Sequence, residues 1–363
     1  MKLLYITNGV TGSGGLERVL SIKASYLADN YGHEVTILSL NEVSVDPFYE
    51  FSSKISFKSI LVGGNLFQYT AAYKKGLQNT VNELLPDVIS VCDDGLKGFF
   101  IPQFLKTTAK IIYERHVSKL IAVPANYTGL KKISTLIKWK LMEKLAASFS
   151  LFVVLTEQNK QEWKTLNNLR VIPNPLSFYP KESSSLENKK VICVGKISYQ
   201  KGQDLIVAAW EQVWKKHPDW NLELYGNANE QFLNTINYAS KNIFVYPPEK
   251  NIAKKYLDSS IYVMSSRFEG FGMVLIEAMA CGVPCISFNC NYGPSDIIDN
   301  ENDGILVENG NISKLAESIM RIIEDKNERQ KMGAKARENV KRFLPEKIVS
   351  EWHSLLLTLK SEE

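Results

Sequence analysis

The sequence predicts an α/β protein built from two doubly wound parallel sheets, each covered by helices on both faces. Short apolar runs rich in Val and Ile recur with helical stretches between them, a pattern typical of parallel strands buried on both faces. The alternation of strand and helix stops once, in a segment rich in Pro and Ser, and then starts again. With 363 residues, the chain has room for two domains of about 150 residues each. We therefore expect two Rossmann-like halves joined by a linker.

The apolar runs define the predicted strands. Those of the first half are Leu3–Thr7, Val35–Leu40, Ile55–Ile60, Val88–Cys92, Ile111–Tyr113, Leu151–Leu155 and Val171–Ile172. The segment 173–185 contains three prolines and three consecutive serines, which is the composition of a linker. The predicted strands of the second half are Val191–Gly195, Leu222–Tyr225, Ile243–Tyr246, Ile261–Met264, Val283–Phe288 and Ile305–Val307. The stretch from Pro345 to Leu359 has apolar residues at helical spacing and is predicted to be a last, amphipathic helix.

Composition and charge indicate an ordinary globular protein with one unusual region. Hydrophobic residues make up 45% and charged residues 23% of the chain, and the net charge is +4. Residues 105–150 contain nine Lys or Arg and two Glu, a local excess of positive charge. This region is either a solvated helix face or a surface for anionic lipid or a lipid-diphosphate acceptor. No nucleic-acid partner is expected.

Cysteine usage and hydropathy suggest the compartment. The five cysteines form no C-x-x-C pair, and we interpret them as small buried thiols in a reducing environment. No apolar run reaches the ~18 residues that a membrane-spanning helix needs. We expect a cytoplasmic protein, and the basic region leaves open a peripheral attachment to the inner face of the cytoplasmic membrane.

The most informative segment is 265–284, in which Glu269 and Glu277 stand eight positions apart. A turn bracketed by Gly270 and Gly272 follows the first glutamate, and an apolar helix then begins. Carboxylates accept hydrogen bonds from sugar hydroxyls, whereas the N–H groups at a helix N-terminus hold phosphate. We expect the backbone amides of Gly270, Phe271, Gly272 and Met273 to meet a phosphate or sugar hydroxyls. This combination favours a nucleotide-activated sugar as the ligand.

This segment resembles the Glu-x7-Glu motif of the retaining GT-B glycosyltransferases of family four, also called glycosyl transferases group 1. The resemblance extends over nearly the whole chain. It implies two Rossmann-like domains that face a central cleft, with residues 1–178 as the acceptor domain and 186–344 as the donor domain. It also implies that the last helix, about 345–363, crosses back to the first domain. In the family pattern Glu269 contacts the donor sugar and Glu277 holds the ribose hydroxyls.

A glycine-rich loop follows the first predicted strand, and a helix begins near Leu16. Glycine permits positive φ and lets a ligand approach the backbone closely. Gly14 and Gly15 match the family's Gly-Gly loop, which lies near the donor phosphates and the acceptor. The loop does not fit G-x-G-x-x-G because Glu17 stands at the last position, which weakens a dinucleotide interpretation. A tight turn without a ligand is the alternative.

A second loop, from Gly195 to Gly202, follows the first strand of the second half and carries Lys196 and Lys201. Two cations at this place can neutralise a diphosphate as charge leaves the sugar. The family usually has Arg at the position of Lys196. Lysine keeps the charge but loses the bidentate fork, so Lys201 is the stronger candidate. Alternatively, both are surface lysines with no role.

His116 lies at the carboxyl end of a predicted strand, an edge that lines ligand crevices in open α/β sheets. The family has a His or a similar polar residue at this position, against the donor sugar. The other three histidines fall in predicted surface segments. Arg115 either pairs with Glu114 or faces an anionic acceptor, and Thr156 is a weaker candidate for acceptor contact.

These features together predict a retaining, metal-independent glycosyltransferase that needs no cofactor. It would move a hexose-type sugar from a nucleotide diphosphate sugar to a glycan or lipid-linked acceptor, in cell-surface polysaccharide or lipopolysaccharide synthesis. A leaving phosphate oxygen would take the acceptor proton, because no side chain is an obvious catalytic base. The absence of an Asp-x-Asp sequence agrees with metal independence.

Other functions remain open from the sequence. One is a sugar-nucleotide epimerase of the same fold, and another is a non-catalytic sugar-nucleotide-binding protein. A glycosidase with Glu269 and Glu277 as its paired carboxylates would leave the phosphate-binding features without a role. A nicotinamide oxidoreductase using the first glycine loop and a purely structural pair of glutamates are further alternatives.

Overall fold

A computed structural model describes residues 1–42, 46–123, 128–236, 238 and 241–361. The chain forms two compact units, one of Met1–Pro175 with Pro345–Glu363 and one of Leu176–Leu344. Residues 124–127 of the expected basic region and the last two residues of the expected final helix lie outside the described residues.

The first unit contains a parallel sheet with strand order β3-β2-β1-β4-β5-β6-β7. Its strands are β1 (Lys2–Thr7), β2 (Glu34–Leu40), β3 (Ser56–Ile60), β4 (Val88–Cys92), β5 (Lys110–Glu114), β6 (Leu151–Val154) and β7 (Leu169–Val171). Its helices include α1 (Gly15–Tyr31), α2 (Leu66–Leu84), α3 (Leu96–Phe99), α4 (Ile101–Phe104) and α5 (Leu130–Ala146). The central strand β4 is buried along its whole length, as its continuous apolar sequence predicts.

The second unit contains a parallel sheet with strand order β10-β9-β8-β11-β12-β13. Its strands are β8 (Lys190–Val194), β9 (Asn221–Tyr225), β10 (Ile243–Tyr246), β11 (Ile261–Met264), β12 (Cys285–Phe288) and β13 (Gly304–Val307). Its helices are α6 (Gln203–Lys216), α7 (Glu230–Leu233), α8 (Ile252–Leu257), α9 (Met273–Ala280), α10 (Pro294–Ile297), α11 (Ile312–Glu324) and α12 (Lys326–Asn339) within the described residues. Two parallel sheets with crossover helices confirm the predicted α/β class.

The last helix, α13 (Pro345–Ser361), belongs to the first unit and packs against α1. Its His353 stacks on Tyr31 with ring centroids 3.8 Å apart, and its Nδ1 lies 3.0 Å from Nε2 of His33. The sequence-based assignment of His33 to the surface is wrong, since the residue is buried. Burial, the N-terminal amine and His353 lower the pKa of His33 to about 4. The ring is therefore neutral at pH 7.

All five cysteines are free and buried, which confirms their interpretation as buried thiols. Burial raises the pKa of Cys193 and of Cys281 to about 12. Within the described part of the chain, no helix is both long and apolar enough to cross a membrane.

Both sheets bring the ends of neighbouring strands together. In the first unit β1, β4 and β5 are adjacent, and in the second unit β8, β11 and β12 are adjacent. Because the strands are parallel, the loops that leave their carboxyl ends share one edge of each sheet. The sequence-predicted residues lie in these loops or in the helices that follow them.

Candidate active site

An ion pair between Lys201 and Glu269 stands at the carboxyl edge of the second sheet. The Lys201 Nζ lies 2.7 and 2.9 Å from the two carboxylate oxygens of Glu269. The Ser266 hydroxyl donates a hydrogen bond to the same carboxylate at 2.5 Å. The side chain of Glu269 is 6% exposed and that of Lys201 is 23% exposed. The carboxylate is thus buried and neutralised, whereas part of the ammonium side chain is open to solvent.

Two helix N-termini flank this ion pair along the chain. Helix α6 begins after Gly202 and α9 begins after Gly272, and both glycines have positive φ, of 64° and 105°. A Cβ on Gly202 would lie 2.1 Å from the Ser265 carbonyl oxygen, so the close approach of the two loops requires glycine there. The first N–H groups of each helix have no partner within the helix and carry partial positive charge. The arrangement can therefore bind an anion.

Gly195 and Lys196 are the other predicted residues of the loop that carries Lys201, and their surroundings differ. Gly195 has a φ of 148°, and a Cβ on it would lie 3.6 Å from the aliphatic part of Lys201. Lys196 is exposed and has no ion-pair partner among the residues that the structure describes. Its ammonium is therefore free to move toward a ligand, in contrast to that of Lys201.

An arginine that sequence reasoning missed ties the two loops together. Arg267 binds the Asp204 carboxylate through both terminal nitrogens, at 2.8 and 2.6 Å. Its guanidinium lies 4.0 Å from the centre of the Tyr199 ring and donates a hydrogen bond to the Tyr199 carbonyl oxygen. Hydrogen bonds from Arg267 to Asp204 raise the pKa of the guanidinium. The segment that carries Lys201 is thereby fixed to the segment that carries Glu269.

The loop that contains Gly270 and Phe271 is fixed by side-chain packing and by backbone hydrogen bonds to neighbouring segments. The Phe271 side chain is buried, and its ring meets that of Phe343 edge-on at 5.5 Å. The backbone of Glu269 exchanges hydrogen bonds with Asn291 and Tyr292. Phe271 therefore packs in the core, and its backbone, rather than its ring, remains the candidate for ligand contact together with the amide of Met273.

The second glutamate, Glu277, lies within α9 and is 1% exposed. Its carboxylate accepts hydrogen bonds from the hydroxyl groups of Ser177, at 2.9 Å, and Tyr256, at 3.3 Å. Sequence reasoning placed both glutamates at a ligand surface, whereas the structure buries both. The carboxylate of Glu277 nevertheless binds hydroxyl groups, the same chemical type as the hydroxyls of a ribose.

In the first unit, a buried charge network supports His116. The Glu114 carboxylate pairs with Lys23 and accepts a hydrogen bond from Ser90 at 2.5 Å. The Lys23 ammonium also lies 4.1 Å from the centre of the Trp352 ring of α13. Burial alone would raise the pKa of Glu114, but Lys23 and His116 outweigh it and lower the pKa to about 2. Glu114 is therefore ionised throughout the neutral range.

His116 itself is nearly enclosed, with its side chain 5% exposed. Its Nε2 lies 3.4 Å from the Glu114 carboxylate, yet neither ring nitrogen makes a hydrogen bond with the described residues. Cys92, Glu114 and His116 bring three possible metal-ligand atoms within 4.8 Å of one another. The Lys23 ammonium already neutralises Glu114 and would repel a metal cation there. The cluster is thus a poor metal site, and His116 retains unused hydrogen-bonding capacity.

The two weaker candidates of the first unit are buried. The structure overturns a pairing of Arg115 with Glu114, because Arg115 Nη1 lies 3.5 Å from the Asp94 carboxylate and donates to the Asp94 carbonyl oxygen at 2.9 Å. Thr156 is also buried, and its hydroxyl accepts the Asn159 N–H at 3.1 Å. Both side chains hold the local backbone.

The glycine loop of the first unit keeps Gly14 and Gly15 exposed at the start of α1. The Glu42 carboxylate accepts hydrogen bonds from the N–H groups of Val10 and Thr11 at 3.0–3.1 Å. A Cβ on Gly14 would lie 2.5 Å from the Glu17 carboxylate. Of the loop's N–H groups, those at the start of α1 therefore remain the best candidates for a ligand.

Comparison with known proteins supports a single family. Residues 178–339 match the sequence model described as "Glycosyl transferases group 1". An uncharacterized glycosyltransferase of Haemophilus influenzae is 29% identical, over 98% of this chain and 99% of its own length. The amylovoran biosynthesis glycosyltransferase AmsD of Erwinia amylovora is 26% identical, over 98% of this chain and 99% of its own.

The fold has close relatives among solved structures. A sucrose-phosphate synthase from Thermosynechococcus elongatus is similar with a TM-score of 0.84 and 18% sequence identity, and the similarity covers 100% of both chains. At this identity the likeness concerns the fold, which is the GT-B fold.

Proposed function

We propose that this chain, which has the GT-B fold, is a member of the glycosyl transferases group 1 and transfers a hexose-type sugar from a nucleotide diphosphate sugar with retention of configuration. The acceptor would be a glycan or a lipid-linked glycan. The observation that carries the proposal is the Lys201–Glu269 pair, flanked in sequence by the N-termini of α6 and α9. A partly open cation beside unpaired helix N–H groups suits a diphosphate, and a neighbouring carboxylate suits a sugar hydroxyl.

The charges of this site fit a donor that carries two negative charges. Lys196 and Lys201 supply two positive charges, and the buried Glu269 offsets one of them. The partial positive charges of the two helix N-termini add to the remainder. When the sugar–phosphate bond breaks, negative charge grows on the diphosphate, and cations beside it stabilise that state more than the ground state. This favours departure of the nucleotide diphosphate without a requirement for a metal ion.

Glu277 is proposed to hold the ribose. Its present partners are the hydroxyl groups of Ser177 and Tyr256, so a ribose diol could take the place of Ser177 with little change in hydrogen bonding. Because the residue is buried, this exchange requires a small movement of the segment that carries Ser177. The carboxylate would then distinguish a nucleoside diphosphate from a simple pyrophosphate.

In the first unit, His116 is proposed to contact the transferred sugar. Glu114 lies against one edge of the ring, and the ring nitrogens have unused hydrogen-bonding capacity within the described structure. Gly14 and Gly15 at the start of α1 are proposed to approach the donor phosphates or the acceptor. A leaving phosphate oxygen would accept the acceptor proton, because Glu269 is neutralised by Lys201 and Glu277 is occupied by hydroxyls.

The names of similar proteins suggest a biological setting. The relative AmsD is a glycosyltransferase of amylovoran biosynthesis. We propose that the present chain likewise acts in the synthesis of a cell-surface polysaccharide or lipopolysaccharide.

The direct test is a thermal-shift screen with UDP, GDP and ADP and their hexose conjugates, with inorganic pyrophosphate as the control. A ligand at one hundred times its dissociation constant adds about 2.7 kcal/mol to the free energy of unfolding. We expect one nucleotide diphosphate to stabilise the protein and pyrophosphate to have a much smaller effect. Stabilisation by none of these nucleotides would refute the proposal.

A donor identified in this way also separates the alternative activities. Incubation of the donor sugar alone should release nucleotide diphosphate slowly and should form no epimer. Formation of an epimer would favour the epimerase. Binding without turnover, when lipid-linked and glycan acceptors are supplied, would favour a non-catalytic binding protein.

A further inference from the structure

Helix α5 exposes an apolar stripe on the side that faces away from the core of the first unit. Five of the fifteen exposed large hydrophobic side chains of the described residues lie on this one helix. They are Leu130 (85% exposed), Ile133 (55%), Leu136 (42%), Ile137 (63%) and Leu141 (36%). Single exposed hydrophobic residues are ordinary, but a contiguous group indicates an interaction surface.

The spacing of these residues aligns them along the helix. At about 100° per residue, Leu130, Ile133, Ile137 and Leu141 lie within about 80° of one another. The buried residues of the same helix, Thr135, Met142, Leu145 and Ala146, project to another side, centred about 140° away. The helix therefore has two apolar faces, one packed on the core and one open to solvent.

Five lysines lie on α5, namely Lys131, Lys132, Lys138, Lys140 and Lys144, and none has an ion-pair partner among the described residues. At about 100° per residue, Lys144 and Lys140 project about 25° and 65° from the centre of the open face, whereas the other three project about 95° to 145° from it. The acidic residue of the helix, Glu143, pairs with the buried Lys119. The structure also removes Arg115 and Lys119 from the expected basic surface, because both are buried. The exposed positive charge of this region is thus concentrated on α5.

The start of α5 adds to the positive potential. Its first turn contains Lys131 and Lys132 and no acidic residue, although a helix N-terminus itself carries partial positive charge. Two lysines at this position are unfavourable for the isolated helix. An anionic layer in contact with the N-terminus would reverse this effect.

We propose that α5 lies in the interface of an anionic lipid bilayer, with Leu130, Ile133, Ile137 and Leu141 inserted between headgroups and with Lys140 and Lys144 paired with lipid phosphates. An amphipathic helix with leucine and isoleucine on one side and lysines beside them has the chemistry that binds such an interface. A second copy of the chain fits poorly, because a symmetric dimer through this face would bring Lys140 and Lys144 of one copy against the same lysines of the other. The proposal does not depend on the proposed transferase activity.

The experiment is sedimentation of the full chain with vesicles, without donor or acceptor. Phosphatidylcholine vesicles are compared with vesicles that also contain phosphatidylglycerol, at about 0.05 M and about 0.5 M NaCl. We expect binding to the anionic vesicles at low salt and release at high salt. Absence of binding to anionic vesicles at low salt, or equal binding to both vesicle types, would overturn the proposal.

Two variants test the two parts of the surface. Ile133→Asn with Ile137→Asn should lower the partition coefficient by about tenfold or more, because the inserted apolar area is lost. Lys140→Gln with Lys144→Gln should lower it by about thirtyfold at low salt, since each lysine near an anionic surface contributes about one kcal/mol. Equal binding of either variant and the unchanged protein would contradict the assignment to α5.

Matched controls use residues outside this helix. Leu357→Asn removes an exposed leucine of α13, and Lys331→Gln with Lys347→Gln removes two exposed lysines. These controls should bind as the unchanged protein does, and a similar loss of binding would overturn the assignment. Light scattering tests whether a second copy of the chain covers the stripe instead. Self-association that the isoleucine variant abolishes, together with no binding to vesicles, would mean that a second copy covers it.

Discussion

Replacement of Lys201 by methionine tests the proposed role of the ion pair in the second unit. Methionine preserves most of the aliphatic volume and removes the charge. At 4 Å and an effective dielectric constant of about 20, two unit charges interact by about 4 kcal/mol. The Lys201 side chain is 23% exposed, so solvent screens part of this interaction. We expect a loss of about 2–3 kcal/mol of transition-state stabilisation, which lowers kcat by about 30- to 150-fold.

The same substitution also affects folding, and a second lysine separates the two effects. Without Lys201, the buried Glu269 loses its counter-charge, which costs up to about 3–5 kcal/mol in a fully buried pair and less here. Lys190 is a matched control because its side chain is 17% exposed and pairs with Glu223 and Asp258. It stands at the amino end of β8, the opposite edge of the same sheet. Lys190→Met should therefore lower stability without a change in kcat.

The assay is the release of nucleotide diphosphate from the donor, with nucleotide affinity measured by calorimetry. Lys201→Arg keeps the charge and should recover part of the rate. The reasoning is refuted if Lys201→Met, at a temperature where it remains folded, turns over donor as fast as the unchanged protein. A loss of the same size in Lys190→Met would show that the effect arises from stability.

Three further predictions concern other buried groups. Glu277→Gln keeps the shape of the side chain but weakens its hydrogen bonds to hydroxyls, so nucleotide affinity should fall by about 2 kcal/mol, or about thirtyfold, in calorimetry. Lys23→Met leaves the buried Glu114 without its counter-charge and should lower the free energy of unfolding by about 3–5 kcal/mol in denaturant titrations. The pKa of His33 is lowered from 6.5 to about 4 in the folded protein. As the pH decreases, His33 of the unfolded chain therefore binds its proton at a higher pH than His33 of the folded chain does. Stability should therefore fall by about 1–2 kcal/mol as the pH decreases from 6.5 to about 4, a value reduced from the full linkage energy because of solvent screening.

Each of these predictions has its own control. Glu277→Gln also weakens the hydrogen bonds from Ser177 and Tyr256 in the free protein, so nucleotide affinity is measured at a temperature where the variant remains folded, and an unaltered affinity would exclude the ribose role. The double variant with Glu114→Gln should recover most of the stability lost in Lys23→Met, and no recovery would mean that the charge of Glu114 is not the cause. In His33→Asn the decrease in stability between pH 6.5 and 4 should become shallower, and an identical pH profile would place the effect at other groups.

The fold could be predicted from the sequence because its signals are local. A run such as Val88–Cys92 predicts a strand buried on both faces, and the structure contains a strand with the same bounds. The glycines before α6 and α9 mark turns that need positive φ, which is also a property of single residues. The side-chain partners could not be predicted in this way, since Lys23 and Glu114 are separated by 91 positions and Lys201 and Glu269 by 68.

The sequence by itself determined the α/β class, the order of strands and helices along the chain and the residue types available for a phosphate and a sugar. Only the tertiary structure decided which of these residues meet, because pairing across a sheet depends on strand order and not on distance along the chain. In the tertiary structure Glu269 and Glu277 are buried, Arg115 lies against Asp94, and the apolar stripe of α5 is exposed to solvent. Burial and pairing result from the packing of distant segments, and a local pattern contains no information on which distant segment will pack against it.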